Sequence, residues 1–200
     1  TPVRKLSTAG DDILRRKGSY PPVGDLQPDA KGEYSRIVDI ALDRNGVYSL
    51  LDSNRGRIFT YDNDGNLLFA FGETGSQKGA LQRPVAIAYF GDRILVLDSV
   101  LRAVACYQKT DYGRMLLKAV YNQYEGNSES AYSDWAEIVR YNSNYKFAYI
   151  GLGQSLLKAG DYENAMAYFE YADVKEDYSQ AFEQQRKIDM GYTFQYIFVA

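Results

Sequence analysis

The sequence predicts an α+β protein whose strands and helices lie in separate parts of the chain, an all-β part first and an all-α part after it. Three observations predict this class. All five prolines and 10 of the 17 glycines lie in the first 84 residues, where short apolar runs alternate with turns. Twelve of the 19 tyrosines follow Gly113. After Gly113 the period of the apolar pattern changes from two residues to about 3.6 residues. We place the boundary near residue 112.

Turn motifs separate the first four apolar runs. Asn45-Gly46 and Asp64-Gly65 are strong hairpin signals because both pairs tolerate a positive φ angle. The runs between and around these turns predict an antiparallel meander of four strands. We place these strands at 37–42, 47–51, 57–61 and 67–72.

A second set of β runs repeats the first about 46 residues later. Asp52-Ser53 in the first copy aligns with Asp98-Ser99 in the second, and Tyr61 aligns with Tyr107. A four-stranded unit with a period in the forties is typical of a β-propeller blade. The strands predicted in the second copy lie at 84–89, 93–99 and 103–107.

The repeated sequence motif resembles the NHL repeat. In that repeat a strand that begins with proline is followed by an Asp-Ser pair and then by an Arg-Ile pair, such as Arg57-Ile58 here. The second copy departs from the pattern, since Ala103 stands where the arginine would be and Arg102 comes one place early. The resemblance implies a partial propeller over residues 1–112. Because propellers close with four to eight blades, it also implies a longer natural chain with further blades. The clear blades lie at about 37–72 and 84–112.

After residue 112 the pattern resembles the tetratricopeptide (TPR) repeat. The small positions Gly153 and Ala165 and the neighbouring large positions fall at the spacing of that family over 34 residues, and only its closing proline is replaced, by Asp177. The resemblance implies two helical hairpins, followed by a capping helix that gives the stack a polar end. These segments are the repeats at 113–144 and 147–178, the capping helix at 178–190 and an apolar tail at 191–200.

A chain in which an NHL-type part is followed by a TPR-type part resembles bacterial NHL and TPR proteins that continue into a Yip1-type membrane domain. The apolar residues at 191–200 predict entry into a longer hydrophobic segment or, with equal weight, a strand or helix that packs on the core. The resemblance therefore implies membrane attachment of a full-length chain in which this part is soluble. The compartment stays open.

Composition removes several kinds of chemistry. The chain has no histidine and one cysteine, Cys106, which excludes imidazole-based catalysis, an internal disulfide and a thiolate-rich metal site. A net charge of −3 argues against a nucleic-acid surface, which needs clustered lysine and arginine. We expect a protein that acts by binding, without catalysis, cofactor or metal.

The TPR resemblance also implies a binding groove lined by the first helix of each repeat. An amphipathic helix or an extended peptide from a protein partner would bind there through apolar and aromatic contacts. The alternative is that the same residues pack on the propeller part or on the C-terminal helix. The predicted groove residues are Leu116, Val120, Gln123 and Tyr124 in the first copy, and Phe147, Ile150, Gln154, Leu157 and Lys158 in the second.

Two other functions stay open at this point. One is an extracytoplasmic propeller that binds a carbohydrate or another ligand, with exposed tyrosines stacking on sugar faces. The other is a carboxylate-based hydrolase, for which Asp39, Asp52 and Asp98 are available. The equivalent places of Asp52 and Asp98 in the two copies favour a structural role instead. The loop at 62–66 is similar to a calcium loop but lacks the later bidentate glutamate of an EF-hand, so we predict a hairpin turn.

Overall fold

The chain forms two compact units, Thr1–Gly113 and Arg114–Ala200, in a computed structural model that describes residues 3–16 and 20–199, with side chains up to residue 191. All seven strands described belong to the first unit, and the helices follow them in the chain. The predicted α+β class, with strands and helices in separate parts, is confirmed.

The strands form two antiparallel sheets. The first has the order β1-β2-β3-β4 and the second the order β5-β6-β7, so both are meanders. Positive φ angles at Asn45 (56°), Gly46 (76°) and Gly65 (85°) make the predicted turns. The strands are β1 (Ile37–Leu42), β2 (Tyr48–Asp52), β3 (Arg57–Tyr61), β4 (Leu67–Phe71), β5 (Pro84–Phe90), β6 (Arg93–Asp98) and β7 (Ala103–Gln108).

The two sheets have equivalent hydrogen bonds at equivalent positions. Asp52 and Asp98 are both buried at the end of the second strand of their sheet. The Oδ1 atom of Asp52 accepts hydrogen bonds from the backbone amides of the residue before β1 and of the turn that follows β2. Asp98 ties together the same two segments 46 residues later, through the backbone amides of Gln82, Arg83, Val100 and Leu101.

The turns that follow these two carboxylates are also alike. Gly56 and Arg102, which are 46 residues apart, have φ angles of 60° and 52°. Arg57 forms an ion pair with Asp25 at 2.8 Å, whereas its counterpart Ala103 has no side chain that could do so. The second copy therefore keeps the backbone of the repeat and loses its arginine contact.

Among the residues that the structure describes, the second sheet has three strands and no fourth. In the first sheet β4 pairs with β3, but the residues 46 places after β4, at 113–117, lie in a helix. Of the two blades that the sequence predicts, only the first has the expected four strands. The reason is local, because the apolar residues of this segment have the spacing of a helix. They are Met115, Leu116, Leu117, Ala119 and Val120.

The sheets pack face to face around an apolar core. Ala41, Leu51 and Ile58 of the first sheet meet Ile87 and Val96 of the second. The opposite face of the first sheet is covered by the N-terminal segment, which contributes Val3 and Leu14 to a cluster with Tyr48, Leu50, Phe59 and Tyr61.

Five helices form the second part. The chain turns at 126–127 and again at 160–161, within the two predicted repeats, and the predicted capping helix begins earlier, at Lys175 instead of Tyr178. It continues through the predicted apolar tail to Val199, while Ala200 lies outside the described residues. Within the described residues, no helix is both long enough and apolar enough to cross a membrane. The helices are α1 (Asp111–Glu125), α2 (Ser128–Tyr141), α3 (Lys146–Ala159), α4 (Tyr162–Ala172) and α5 (Lys175–Val199).

Two glycines let the helices approach each other closely. A Cβ atom added at Gly151 would lie 2.3 Å from the indole ring of Trp135 in α2, and one added at Gly153 would lie 2.6 Å from the ring of Phe169 in α4. Both glycines therefore serve helix packing, and Gly153 stands at a small position of the predicted TPR pattern.

Candidate functional site

A polar network links α1, α2 and α3 on the predicted groove face. The Trp135 indole donates a hydrogen bond to Gln123 Oε1 at 2.6 Å, and the amide of Gln123 donates one to Gln154. Lys158 Nζ donates to the backbone oxygen of Gln123 at 3.1 Å. The three polar residues predicted for the groove thus come together around Gln123, although their side chains already bind one another.

The apolar residues predicted on α1 are turned toward the interior. Leu116 is 0% exposed and Val120 is 7% exposed. A partner cannot touch buried side chains without rearrangement, so these two positions contribute to packing. Periodicity identified the apolar side of α1 but not which way that side faces.

Three predicted residues of α3 are half-buried and serve the core as well. Phe147 packs edge-on against Trp135 with ring centroids 5.5 Å apart. Ile150 and Leu157 pack against the cluster of Ala165, Phe169 and Ala181 that joins α3, α4 and α5. Ile150 and Leu157 therefore pack on a cluster that includes Ala181 of the C-terminal helix, in line with the packing alternative for these two residues.

Tyr124 and Lys158 are the exposed members of the predicted set. Tyr124 is 56% exposed near the end of α1, and Lys158 is exposed in the last turn of α3. These two side chains, with the accessible parts of Gln154 and Leu157, are what the predicted set offers to a partner.

A groove of about 390 Å³ lies where α3, the start of α4 and α5 meet. Sequence reasoning missed the contribution of α5, although Asp177, Gln180 and Gln184 follow one another at spacings of three and four, which mark one face of a helix. The groove is lined by Gln154, Leu157, Lys158, Tyr162, Asp177, Gln180 and Gln184.

A second cavity, of about 420 Å³, lies in the strand unit beside β4 and β7. Its apolar wall combines Phe69 and Phe71 of β4 with Ile94 and Tyr107 of the second sheet. Phe71 and Tyr107 meet edge-on with centroids 5.2 Å apart. Composition and periodicity gave no signal for this cavity, because it depends on which strands the two sheets possess.

The polar rim of this cavity includes Lys109, whose charge is balanced within the unit. Its ammonium group lies 3.1 Å from Asp43 and 3.9 Å from Asp92. It also lies 5.3 Å from the centre of the Tyr89 ring. Burial raises the pKa of the Tyr89 hydroxyl to about 12, and that hydroxyl shares a 2.6 Å hydrogen bond with Ser49. The apolar wall is therefore the part of this cavity that is available for binding.

The carboxylates considered for hydrolysis are engaged by the backbone. Asp39 accepts hydrogen bonds from the backbone amides of Ile40 and Ile87, and the latter bond joins the two sheets. Burial alone would raise the pKa of Asp98, but the four backbone amides that it accepts hold its pKa below the usual value. These contacts support the structural role predicted for Asp52 and Asp98.

The calcium-like loop is a hairpin turn between β3 and β4. Asp62 accepts hydrogen bonds from the backbone amides of Asp64 (2.9 Å) and Asn66 (2.8 Å) and from the side chain of Asn66. Burial raises the pKa of Asp62. Both carboxylate oxygens are thus used to close the turn, and the predicted hairpin turn is present.

Comparison with protein-family models gave no match, and neither did a search of the curated proteins.

Proposed function

We propose that the chain is a non-enzymatic interaction module that binds a peptide segment of a protein partner at the groove between α3 and α5. The groove itself is the observation that carries this proposal. It is large enough for several side chains, and it offers amide groups beside an apolar contact from Leu157. Such a mixture suits peptide recognition, where polar groups fix direction and apolar groups provide affinity.

The lining of the groove carries both charges. Lys158 contributes an ammonium group from the end of α3, and Asp177 contributes a carboxylate from the first turn of α5. The groove therefore favours a linear segment of mixed charge over a strongly acidic or basic one.

The family assignment belongs to the same proposal. The 46-residue repetition of the Asp52 and Asp98 hydrogen bonds supports an NHL-type propeller part. The close contacts of Gly153 with Phe169 and of Gly151 with Trp135 support TPR-type hairpins. In this proposal the strand unit supplies a further binding surface, and catalysis has no part.

Selection from a displayed library of random 16-residue peptides, followed by fluorescence polarisation with the selected peptides, tests this function. The double variant Lys158→Ala/Gln184→Ala should weaken binding by about tenfold or more, since loss of groove contacts of this kind costs more than about 1 kcal/mol. The melting temperature should stay close to that of the unchanged chain.

A matched double variant, Lys146→Ala/Gln185→Ala, serves as the control. Lys146 lies at the opposite end of α3, and Gln185 binds Asp189 on α5 outside the groove lining. Equal losses of affinity in the two double variants, or selected peptides that bind the groove variant as well as the unchanged chain, would rule out the groove as the binding site.

A further inference from the structure

Four tyrosines of the helical unit lie together on three helices. Tyr132 is on α2, Tyr149 on α3, and Tyr168 and Tyr171 on α4. Measured between centroids, the ring of Tyr149 lies 4.3 Å from that of Tyr171 and 6.3 Å from that of Tyr168. A hydrogen bond with Tyr132, together with burial, raises the pKa of Tyr168 to about 12. Part of the tyrosine excess of the helical unit is thus concentrated in one cluster.

The rings of Tyr149 and Tyr171 are closer than most aromatic pairs. Such pairs in proteins usually have centroids about 4.5–7 Å apart, whereas these centroids are 4.3 Å apart and the ring planes are tilted by 44°. Two phenol rings joined by a carbon–carbon bond of about 1.5 Å have centroids roughly 4 Å apart. The two rings therefore already lie near the separation that a covalent link between them requires.

The same pair can be reached from solvent. Tyr171 is 59% exposed and Tyr149 is half-buried. The Tyr149 hydroxyl donates a hydrogen bond to the backbone oxygen of Ser143 at 3.0 Å. Burial and a hydrogen bond with Tyr171 both raise the pKa of Tyr149, so Tyr149 is a neutral phenol at pH 7. Its oxidation therefore removes a proton together with an electron.

We propose that Tyr149 and Tyr171 form an oxidative modification site, at which a one-electron oxidant such as the oxidised haem of a peroxidase joins the two rings as dityrosine. Each phenol gives one electron to the oxidant and one proton to water. The two phenoxyl radicals then form a carbon–carbon bond between ortho carbons, and the hydrogens of those carbons move to the two phenol oxygens. With hydrogen peroxide as the terminal oxidant, one peroxide is reduced to two waters for each link.

Contact between the rings and access of the oxidant are both needed for this reaction. Tyr48 and Tyr61 also stack, with centroids 5.5 Å apart, but they are 6% and 0% exposed. Tyr34 is 63% exposed but lies in the strand unit, outside the cluster. The structure thus provides a buried pair and an exposed single ring for comparison with Tyr149 and Tyr171.

The link would tie α3 to α4. Neither Tyr149 nor Tyr171 lines the groove between α3 and α5, so this inference does not depend on the proposed function.

Treatment of the 200-residue chain, at low concentration, with a haem peroxidase and a limiting amount of hydrogen peroxide tests the site. The main product should be a monomer that has dityrosine fluorescence and has lost two hydrogen atoms. Trypsin should release residues 147–158, in which Tyr149 is the only tyrosine, joined to residues 159–175. Fragmentation in the mass spectrometer should place the link at Tyr171 among the three tyrosines of the second peptide.

Two variants separate the site from general oxidation of exposed tyrosines. Tyr171→Phe keeps the ring and removes the hydroxyl that is oxidised, so the yield of the link to Tyr149 should fall by about tenfold or more, since only groups held in contact react with the advantage of proximity. Tyr34→Phe changes an equally exposed tyrosine and should leave the yield unchanged. Circular dichroism should show the same helix content in both variants as in the unchanged chain.

The inference would be overturned by an absence of dityrosine in the monomer or by a link at Tyr162 or Tyr168 instead of Tyr171. Links spread over exposed tyrosines of both units, or dimers as the main product, would show that exposure alone decides the reaction. Equal yields from Tyr171→Phe and the unchanged chain would likewise rule out the pair as the site.

Discussion

Single residues set how closely the helices pack. Gly153 lies in the middle of α3, where glycine lowers helix stability, but its missing Cβ makes room for the Phe169 ring. Gly191 in α5 has nothing within 4 Å of the position that a Cβ would take. The same residue type thus has a packing function in one helix and none in the other.

Gly153→Ala should destabilise the helical unit by about 1–3 kcal/mol, because overpacking against Phe169 outweighs the gain of about 1 kcal/mol in helix propensity. Gly191→Ala, the matched control, should be neutral or stabilising. Urea unfolding followed by circular dichroism measures both changes. A stabilised Gly153→Ala variant would show that the Phe169 ring yields at little cost.

The Asp98 carboxylate should make the stability of the strand unit depend on pH. Its pKa is held below the usual value in the folded chain, because four backbone amides outweigh the effect of burial. The stabilisation is therefore present above the unfolded pKa of about 4 and is lost as the pH falls through the folded value. Asp98→Asn should lower stability at pH 7 by about 1–3 kcal/mol and flatten the pH profile in acid.

Asp64→Asn is the control for that experiment, since the Asp64 side chain is 60% exposed. It should change neither the stability at pH 7 nor the acid limb by more than a few tenths of a kcal/mol. Thermal unfolding between pH 2.5 and 7 gives the comparison. Parallel acid limbs for Asp98→Asn and the unchanged chain would contradict the assigned role of Asp98.

At the scale of elements, the two helical hairpins differ in how their turns are closed. Gly160 ends α3 with a φ angle of 83° and donates its amide to the last carbonyls of the helix, and Asp161 then caps α4 by accepting from the amide of Asn164. In the first hairpin Gly126 ends α1 in the same way, with a φ angle of 84°, but Asn127 stands at the start of α2 without a side-chain cap. The second hairpin therefore has the better-defined turn.

Asp161→Ala should cost about 1 kcal/mol of stability, the usual effect of removing an N-cap. Asn127→Ala should cost clearly less, because no capping hydrogen bond is lost. Chemical denaturation of both variants tests the difference. Equal costs would mean that the hydrogen bond of Asp161 contributes nothing beyond the turn itself.

The strands and turns could be predicted from the sequence because their determinants are local. Asn45-Gly46 and the alternating apolar runs fix each hairpin by themselves, and each strand end agrees with the predicted one to within one residue. The candidate site was less accessible to sequence reasoning. Whether Leu116 faces a groove or the interior depends on what packs against α1, and Gln180 and Gln184 enter the groove only because α5 docks on α3.

At the scale of the whole molecule, apolar surface is distributed unevenly between the two sheets. Ile58 and Val104 occupy equivalent positions 46 residues apart, yet Ile58 is 0% exposed and Val104 is 56% exposed. The two middle strands of the first sheet, β2 and β3, are covered on both faces, whereas the second sheet exposes Val85, Leu97 and Val104. Exposed apolar patches of this kind favour association.

Val104→Lys should leave the melting temperature nearly unchanged and reduce self-association at high concentration, since lysine on an edge strand opposes pairing between chains. Ile58→Lys, the same change at the covered position, should prevent folding because it buries an unpaired charge. Light scattering and thermal unfolding measure these outcomes. A large loss of stability in Val104→Lys would show that this face is covered in solution.

The packing of Trp135 has a spectroscopic consequence. It is the only tryptophan of the chain, it is buried, and its indole N–H is held by Gln123 while Gly151 lies against the ring. Its fluorescence emission should therefore be blue-shifted in the native state and move to longer wavelength when α2 separates from α3. The chain carries an intrinsic optical probe of its helical unit, so unfolding of that unit can be followed without any label.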